Sequence, residues 1–153
     1  MILIRAKPHA IVKKAKEHLK SAIMNLLIAR NLIERVRREK VDRVLIQTAI
    51  VGMPIPTRAI ADMYVRAGLN YTSKALKLII KLNNVIKSKS QPYTLLIHDK
   101  LEDVIEILKN ISMSEEFTSK DIDNIVARIE DAMVKLEEVE GIIGNYSNLP
   151  YNE

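Results

Sequence analysis

The sequence predicts an all-α fold, and three observations support this class. Aromatic residues make up only 4% of the 153 residues, with one Phe and no Trp, so Ile, Leu, Val and Ala must fill the core. Four glycines and five prolines are too few for a chain with many tight turns. Apolar residues also recur at helical spacing over much of the chain. At this length we expect one domain, residues 1–153, with a substantial hydrophobic core.

The first helix carries the clearest pattern, two interleaved series of apolar residues that each repeat every seven positions. One series contains large residues and the other mostly alanines: Val12, Leu19, Leu26 and Ile33, and Ala15, Ala22, Ala29 and Val36. This is the a/d seam of a helix that packs on a neighbour, and its small residues allow a close approach. The seam changes register after Val36 and continues to Val51. We therefore predict a helix from about Pro8 to Val51, engaged in an antiparallel hairpin or in self-association.

A second long helix is predicted after a tight connection. Gly52, Pro54 and Pro56 end the first helix, because glycine adopts the left-handed cap conformation and proline cannot continue a helix. The second helix should begin near Thr57. Its apolar face is predicted to contain Ile60, Met63, Tyr64, Ala67, Tyr71, Ala75, Leu78, Leu82 and Val85. Because a short connection makes consecutive helices antiparallel, residues 8–88 are predicted to form a long antiparallel helical hairpin.

Two shorter C-terminal helices are predicted to pack on this hairpin, within residues 93–143. Residues 93–98 are either a short strand or the first turn of the third helix. The fourth helix should begin at a Thr118 or Ser119 cap and end at Gly141, and residues 144–153 should form a flexible tail. Its apolar stripe comprises Ile122, Ile125, Ile129, Met133, Leu136 and Val139.

The net charge of +5 hides a strong segregation along the chain. Residues 1–43 contain 12 basic and 4 acidic residues, residues 44–98 contain 7 and 1, and residues 99–153 contain 5 and 14. A basic arm beside an acidic one indicates a polyanionic partner, an intramolecular clamp, or head-to-tail association. Ordinary solvated helix faces are the simpler interpretation.

The sequence contains no recognisable catalytic or metal-binding pattern. It has no cysteine, and its three histidines, His9, His18 and His98, are scattered. It has no Gly-rich phosphate loop and no Glu-x-x-His pair of a di-iron bundle. We therefore expect a protein that is not an enzyme and has no metal or cofactor. Without a signal peptide or an apolar run of about 18 residues, it is expected to be cytoplasmic and at most peripherally associated with a membrane.

The basic residues of the first helix form the candidate binding site. All of them lie off the a/d seam: Lys13, Lys14, Lys16, Lys20, Arg30, Arg35, Arg37 and Arg38. With the seam occupied, they would form an exposed cationic surface along a rod about 60 Å long, at about 1.5 Å per residue. Such a surface would attract anionic lipid, a nucleic-acid backbone or an acidic protein.

The order of these features is typical of one family. A long basic helix ends in residues 45–50, a short turn follows, and a second helix opens with Arg-Ala-Ile-Ala-Asp-Met-Tyr at residues 58–64. In this order, with acidic helices after it, the chain resembles the ESCRT-III family, in particular its archaeal CdvB-type cell-division and membrane-remodelling proteins. The resemblance covers residues 8–140.

The resemblance implies a protein that polymerises with itself through the hairpin and binds or deforms an anionic membrane through the basic surface. It also implies acidic C-terminal helices that fold back on the basic core, and an AAA ATPase as a further partner. Residues 127–136 have a suitable amphipathic pattern for recruiting the ATPase, whereas the end of the chain, residues 148–153, is short for such a motif. The two prolines in the turn also depart from the short charged loop of the family.

A winged helix-turn-helix is the competing interpretation of residues 57–97. Gly68 would lie in the turn, and the recognition helix would face DNA with Tyr71, Thr72, Ser73, Lys74 and Lys77. Residues 87–97 would supply the wing, and the long flanking helices would dimerise this transcriptional regulator. The two hypotheses differ at Gly68, which must break the second helix in the DNA-binding protein. A structural or assembly protein with neither activity is a third alternative.

Overall fold

The computed structural model describes residues 2–39, 43–45, 54–87, 92–111 and 117–146. In chain order these form α1 (Ile2–Glu39), β1 (Arg43–Leu45), β2 (Pro54–Pro56), α2 (Thr57–Lys87), α3 (Pro92–Lys109) and α4 (Ser119–Tyr146). The two short strands pair antiparallel, with Val44 opposite Ile55. Helices make up the rest of the regular structure that is described, so the predicted all-α class is confirmed.

The bundle is built on α1 and α2, which share the most extensive helix–helix contact. The His18 and Tyr71 rings lie 5.9 Å apart, whereas Leu26, about two turns further along α1, lies against Gly68. Because the positions on α2 decrease as those on α1 increase, the two helices are antiparallel.

The other two helices complete a four-helix bundle in which α4 packs on α1 and α3 packs between α2 and α4. Arg30 bonds to Asp123 and Lys16 to Glu140, so α4 runs antiparallel to α1. Asn83 of α2 bonds to His98 of α3, immediately after the connection between these helices. The chain therefore follows an up-down-up-down course.

The seam of α1 is inside this bundle, as its heptad pattern predicted. Six of its eight residues are fully buried: Val12, Ala15, Leu19, Ala22, Leu26 and Ala29. The other two, Ile33 and Val36, are half-buried near the end of the helix. Because α2 and α4 occupy the seam, it is not available for self-association in this structure.

The bounds of α1 differ from the prediction at both ends. The helix begins at Ile2 instead of about Pro8, and it ends at Glu39 instead of Val51. Residues 43–45 pair with residues 54–56 as strands. Spacing alone does not distinguish a short apolar segment such as Val44-Leu45 in a strand from one in a helix. The remainder of the predicted extension, residues 40–42 and 46–51, lies outside the described residues.

The buried face of α2 is rotated relative to the predicted one. Met63 was assigned to the core, but it is 68% exposed, whereas Ala61 and Val65 are buried. Tyr64 and Tyr71 are half-buried at the edge of the core. A spacing pattern does not show which part of an apolar face the neighbouring helices cover, so the predicted centre of the buried face was misplaced.

The C-terminal helices settle two further predictions. Residues 93–98 belong to α3, so the strand alternative is wrong. Thr118 caps α4 as predicted, since its hydroxyl accepts a hydrogen bond from the Asp121 amide and its own amide donates to the Asp121 carboxylate. However, α4 continues through Gly141 to Tyr146, so the predicted end and the start of the tail are wrong. A glycine inside a helix costs only about 1 kcal/mol and does not by itself end it. Residues 147–153 lie outside the described part of the chain.

The bundle has one end that α3 does not reach. His98 of α3 lies beside Asn83 of α2, and from this contact α3 continues for roughly 16 Å, at about 1.5 Å per residue. Along α2, Ala61 lies roughly 33 Å from the same contact, which is beyond the end of α3. Phe117, the single Phe of the chain, is buried at this end and borders the same cleft as Ala61. We call it the open end of the bundle, formed by the last turns of α1 and the first turns of α2 and α4.

Candidate polyanion-binding surface

Two of the eight predicted site residues contact α4. Lys16 Nζ donates to Glu140 Oε1 at 3.0 Å, and Arg30 Nε donates to Asp123 Oδ1 at 2.5 Å. The Lys16 and Glu140 side chains are only 16% and 28% exposed, so solvent screens this pair less than an ordinary surface ion pair. The expected single surface containing all eight cations is therefore wrong, because α4 covers one side of α1.

The contact between α1 and α4 includes a third polar link, from the Ser119 hydroxyl to the Glu34 carboxylate. The three links are distributed along the length of α4, which carries 7 acidic residues. Two of them, Lys16–Glu140 and Arg30–Asp123, join a basic residue of α1 to an acidic residue of α4, as an intramolecular clamp would. The basic and acidic arms of the chain therefore meet along the α1–α4 interface.

The remaining predicted residues of α1 are exposed, namely Lys13, Lys14, Lys20, Arg35, Arg37 and Arg38. At 100° per residue, most of them share the side of α1 that faces away from the bundle. We call this side the outer face of α1 and define it by Lys13, Lys20, Met24, Leu27, Ile28, Arg35 and Arg38. Glu17 is an exposed acidic residue on the same side.

The outer face also contains an apolar patch that the sequence analysis missed. Met24 is 65% exposed, Leu27 40% and Ile28 39%. Their spacing, i, i+3 and i+4, makes them neighbours on the helix surface. The signal that could have revealed them is that all three lie off the heptad seam. Single exposed apolar residues are common, but three adjacent ones with cations on both sides along the helix form a distinct surface.

The charges are strongly asymmetric between the two halves of the bundle. Together α1 and α2 contain 16 basic and 4 acidic residues, whereas α3 and α4 contain 5 and 11. On the acidic side, Lys100 donates to Glu138 at 2.5 Å, and this hydrogen bond, followed by the charge of the same lysine, lowers the pKa of Glu138. An anionic partner is therefore attracted to the α1–α2 side and repelled from the α3–α4 side.

The residues proposed to contact DNA do not form a recognition helix. α2 continues without interruption through Gly68, so the turn of a helix-turn-helix is absent, and residues 93–97 are helical and provide no wing strand. Thr72 is 4% exposed and its hydroxyl donates to the Gly68 carbonyl. Lys74 lies over the Tyr71 ring, 5.3 Å from its centre. Ser73, Lys74 and Lys77 remain exposed on the outside of α2.

The comparisons with known proteins add no family. No protein-family model matches the chain, and no curated protein or solved structure was found to be similar to it. In the described part of the chain, no helix has the length and apolar character needed to cross a membrane. The functional conclusion therefore rests on the geometry and charge of the described residues.

Proposed function

We propose that the protein is a non-enzymatic, ESCRT-III-like membrane-associated protein that binds anionic lipid through the outer face of α1. The proposal rests mainly on the exposed apolar patch of Met24, Leu27 and Ile28, which has cations on both sides along the helix. Lys13 and Lys20 lie toward the start of α1, and Arg35 and Arg38 lie toward its end. Helices that lie in the membrane interface combine apolar side chains with flanking Lys and Arg in this way.

The physical basis is a combination of two weak attractions. Each Lys or Arg near an anionic membrane contributes about 1 kcal/mol, and the effect declines within a Debye length of the surface. The apolar patch adds the burial of side chains among the lipid headgroups and upper acyl chains. The outer face extends over roughly 38 Å from Lys13 to Arg38, at about 1.5 Å per residue, so both groups of cations reach one flat surface.

Two features of the bundle support the comparison with ESCRT-III proteins. α2 is unbroken across Gly68, as the hairpin hypothesis requires, and the acidic α4 lies on the basic α1. Self-assembly is retained in the proposal because the resemblance implies it. Since the seam of α1 is buried, contacts between copies would use exposed residues, and negative-stain microscopy of vesicle-bound protein tests whether a polymer forms.

The central experiment is co-sedimentation with vesicles of phosphatidylcholine alone or with 30% phosphatidylserine. We expect binding to the anionic vesicles at low salt and a marked loss at 0.5 M NaCl. The double variant Lys13→Glu/Lys20→Glu should bind at least tenfold more weakly. The triple variant Met24→Ser/Leu27→Ser/Ile28→Ser should also weaken binding, and its residual binding should be more sensitive to salt.

Matched controls separate the outer face from general electrostatic attraction. Lys77→Glu/Lys81→Glu makes the same change of net charge on exposed residues of α2. Met63→Ser and Val134→Ser remove exposed apolar side chains from α2 and α4. These variants should retain most of the binding. The proposal is wrong if these control variants lose binding to anionic vesicles as strongly as the variants of the outer face. It is also wrong if the wild-type protein does not bind anionic vesicles.

Nucleic acid is tested with the same proteins. A duplex DNA at about 50 mM salt reveals even nonspecific affinity. Binding to DNA without binding to vesicles would contradict the membrane proposal and restore nucleic acid as the partner.

A further inference from the structure

The open end of the bundle contains a cavity of about 350 Å³, away from the centre of the outer face. The last turns of α1 contribute Ile33, Val36 and Arg37, the first residues of α2 contribute Thr57 and Arg58, and Ser119 begins α4. Its volume lies at the lower end of the range for small-molecule sites, about 300–1,000 Å³. One wall is therefore apolar, and the others carry hydroxyl groups and guanidinium groups.

Thr57 is the residue of this cavity whose side chain suggests that a ligand binds there. It is 2% exposed, and its Oγ1 has no hydrogen-bond partner in the described structure. A buried hydroxyl without a partner costs free energy, and such groups in native proteins require an explanation. Because the Thr57 hydroxyl oxygen is itself buried, the side chain would have to turn it toward the cavity for a ligand oxygen to supply the missing bond.

The first turn of α2 is the second polar feature of the cavity. The first four amides of a helix have no partner within it, and the helix dipole places partial positive charge there. α2 has 31 residues, and Thr57 is its first. At the start of α4, in contrast, Thr118 and Asp121 exchange two capping hydrogen bonds, and the Ser119 hydroxyl donates to Glu34. The first turn of α4 is therefore capped by side chains of the chain itself.

Two arginines from different helices give the cavity its charge. Arg58 follows Thr57 directly and has no ion-pair partner among the described residues, and its side chain is exposed. Arg37 approaches from α1, 81% exposed, with Nη1 4.0 Å from Glu34 Oε1. Guanidinium groups bind phosphate through two parallel hydrogen bonds, and phosphate commonly binds at helix N-termini.

We infer that this cavity binds the phosphate group of a small phosphate monoester. The phosphate accepts hydrogen bonds from the Thr57 hydroxyl, the first amides of α2 and the guanidinium of Arg58, and Arg37 adds a second charge from the opposite side. Ile33 and Val36 contact the organic part of the ligand. Such a phosphate belongs either to a free metabolite or to a lipid headgroup of the phosphatidic acid type. The inference is independent of lipid binding by the outer face of α1.

Isothermal titration calorimetry with inorganic phosphate, sn-glycerol 3-phosphate and n-butyl phosphate tests this site on the full chain. We expect saturable binding, tightest for n-butyl phosphate because it also contacts the apolar wall. Thr57→Val and Arg58→Gln should each weaken binding at least tenfold. Arg66→Gln is the control, since Arg66 pairs with Asp62 on the same helix and does not line this cavity. The Lys13→Glu/Lys20→Glu variant should also bind n-butyl phosphate normally.

Thr57→Val distinguishes a ligand contact from a structural role. Because it removes a buried hydroxyl that has no partner and retains the shape of the side chain, the melting temperature without ligand should stay the same or rise. A clear fall would show that the hydroxyl has a structural partner and would overturn the inference. So would the absence of saturable binding by all three phosphates to a wild-type protein that is folded by circular dichroism.

Vesicles distinguish the two sources of the phosphate. One comparison uses vesicles with 10% phosphatidic acid and vesicles given the same surface charge by phosphatidylglycerol. If the protein binds the phosphatidic acid vesicles more strongly, and Arg58→Gln loses this preference, the phosphate is that of a lipid headgroup. Binding of n-butyl phosphate without this preference identifies a free phosphate monoester. Both results support the site.

Discussion

Gly68 of α2 lies directly against Leu26 of α1. A Cβ added to Gly68 would lie 2.8 Å from Leu26 Cγ and 3.2 Å from the Ala22 carbonyl oxygen, both closer than ordinary contact. The glycine therefore serves the close packing of two helices. Glycine is a common turn residue, and this contact explains why Gly68 instead lies within an unbroken 31-residue helix.

We predict that Gly68→Ala destabilises the protein by about 1–3 kcal/mol through overpacking, although alanine favours the helix by about 1 kcal/mol. Gly141→Ala is the matched control in α4, where the added Cβ has no atom within 4 Å beyond its own turn of helix, and it should stabilise by about 0.5–1 kcal/mol. Urea denaturation measures both. Equal effects of the two substitutions would mean that α1 and α2 are further apart than described.

The pair Lys16–Glu140 should contribute more to stability than an exposed pair within one helix. We predict a coupling free energy of about 1 kcal/mol from the double-mutant cycle of Lys16→Met and Glu140→Gln, because both side chains are largely shielded. The control cycle is Asp62 with Arg66, an i,i+4 pair at 2.8 Å in which Arg66 is 80% exposed. Its coupling should be about 0.3–0.5 kcal/mol and should vanish in 1 M NaCl. A smaller coupling for Lys16–Glu140 than for the control would contradict this packing of α4 on α1.

Removing the Lys100 amine should raise the pKa of Glu138. The hydrogen bond and charge of Lys100 hold this pKa below its ordinary value of 4.5. Because the folded-state pKa is the lower one, the pair stabilises the fold above about pH 4.5, and this contribution is lost as the pH falls through the folded-state pKa. A ¹³C NMR titration of the glutamate carboxyls should therefore show a higher Glu138 pKa in Lys100→Met. Lys109→Met, an exposed lysine of the same helix, is the control, and an identical shift in both variants would refute the assignment.

Asn83 should be the polar residue on which the α2–α3 contact depends. It is 5% exposed, its Nδ2 donates to Glu102 Oε1 at 3.0 Å, and its Oδ1 is 2.7 Å from His98 Nδ1. We predict that Asn83→Ala destabilises by about 1–3 kcal/mol, since it removes two hydrogen bonds from a buried position. Asn84→Ala changes the exposed neighbour and should remain within about 0.5 kcal/mol of wild type. Thermal and urea unfolding of the two variants provide the comparison, and equal stabilities would show that this network is absent in solution.

The sequence was most informative where the structure of a segment depends on the spacing of its own residues or on residues close by in the chain. The heptad seam of α1 identified its buried residues, because large and small side chains alternate at fixed spacing and only one face can be covered. The Thr118 cap of α4 was also predictable, since the side chain and the acceptor amide lie close together in the chain. Such local chemistry does not depend on the rest of the fold.

Predictions that required knowledge of a second neighbour were less successful. Met63 was placed in the core because its spacing fits an apolar face of α2, whereas packing buries Ala61 and Val65 instead. Lys16 and Arg30 looked equivalent to the other cations of α1, and nothing in their spacing shows that Glu140 and Asp123 approach from more than 90 residues away.

The sequence by itself therefore determined the helical class, the seam of α1 and the separation of positive from negative charge. The tertiary structure decided that Lys16 and Arg30 pair with α4 and that other cations of α1 lie on the outer face beside Met24, Leu27 and Ile28. It also decided that Thr57, Arg58 and Arg37 meet at the open end of the bundle. The reason is physical: periodicity and charge are properties of one segment, whereas burial, ion pairing and cavities depend on distances between segments that only packing defines.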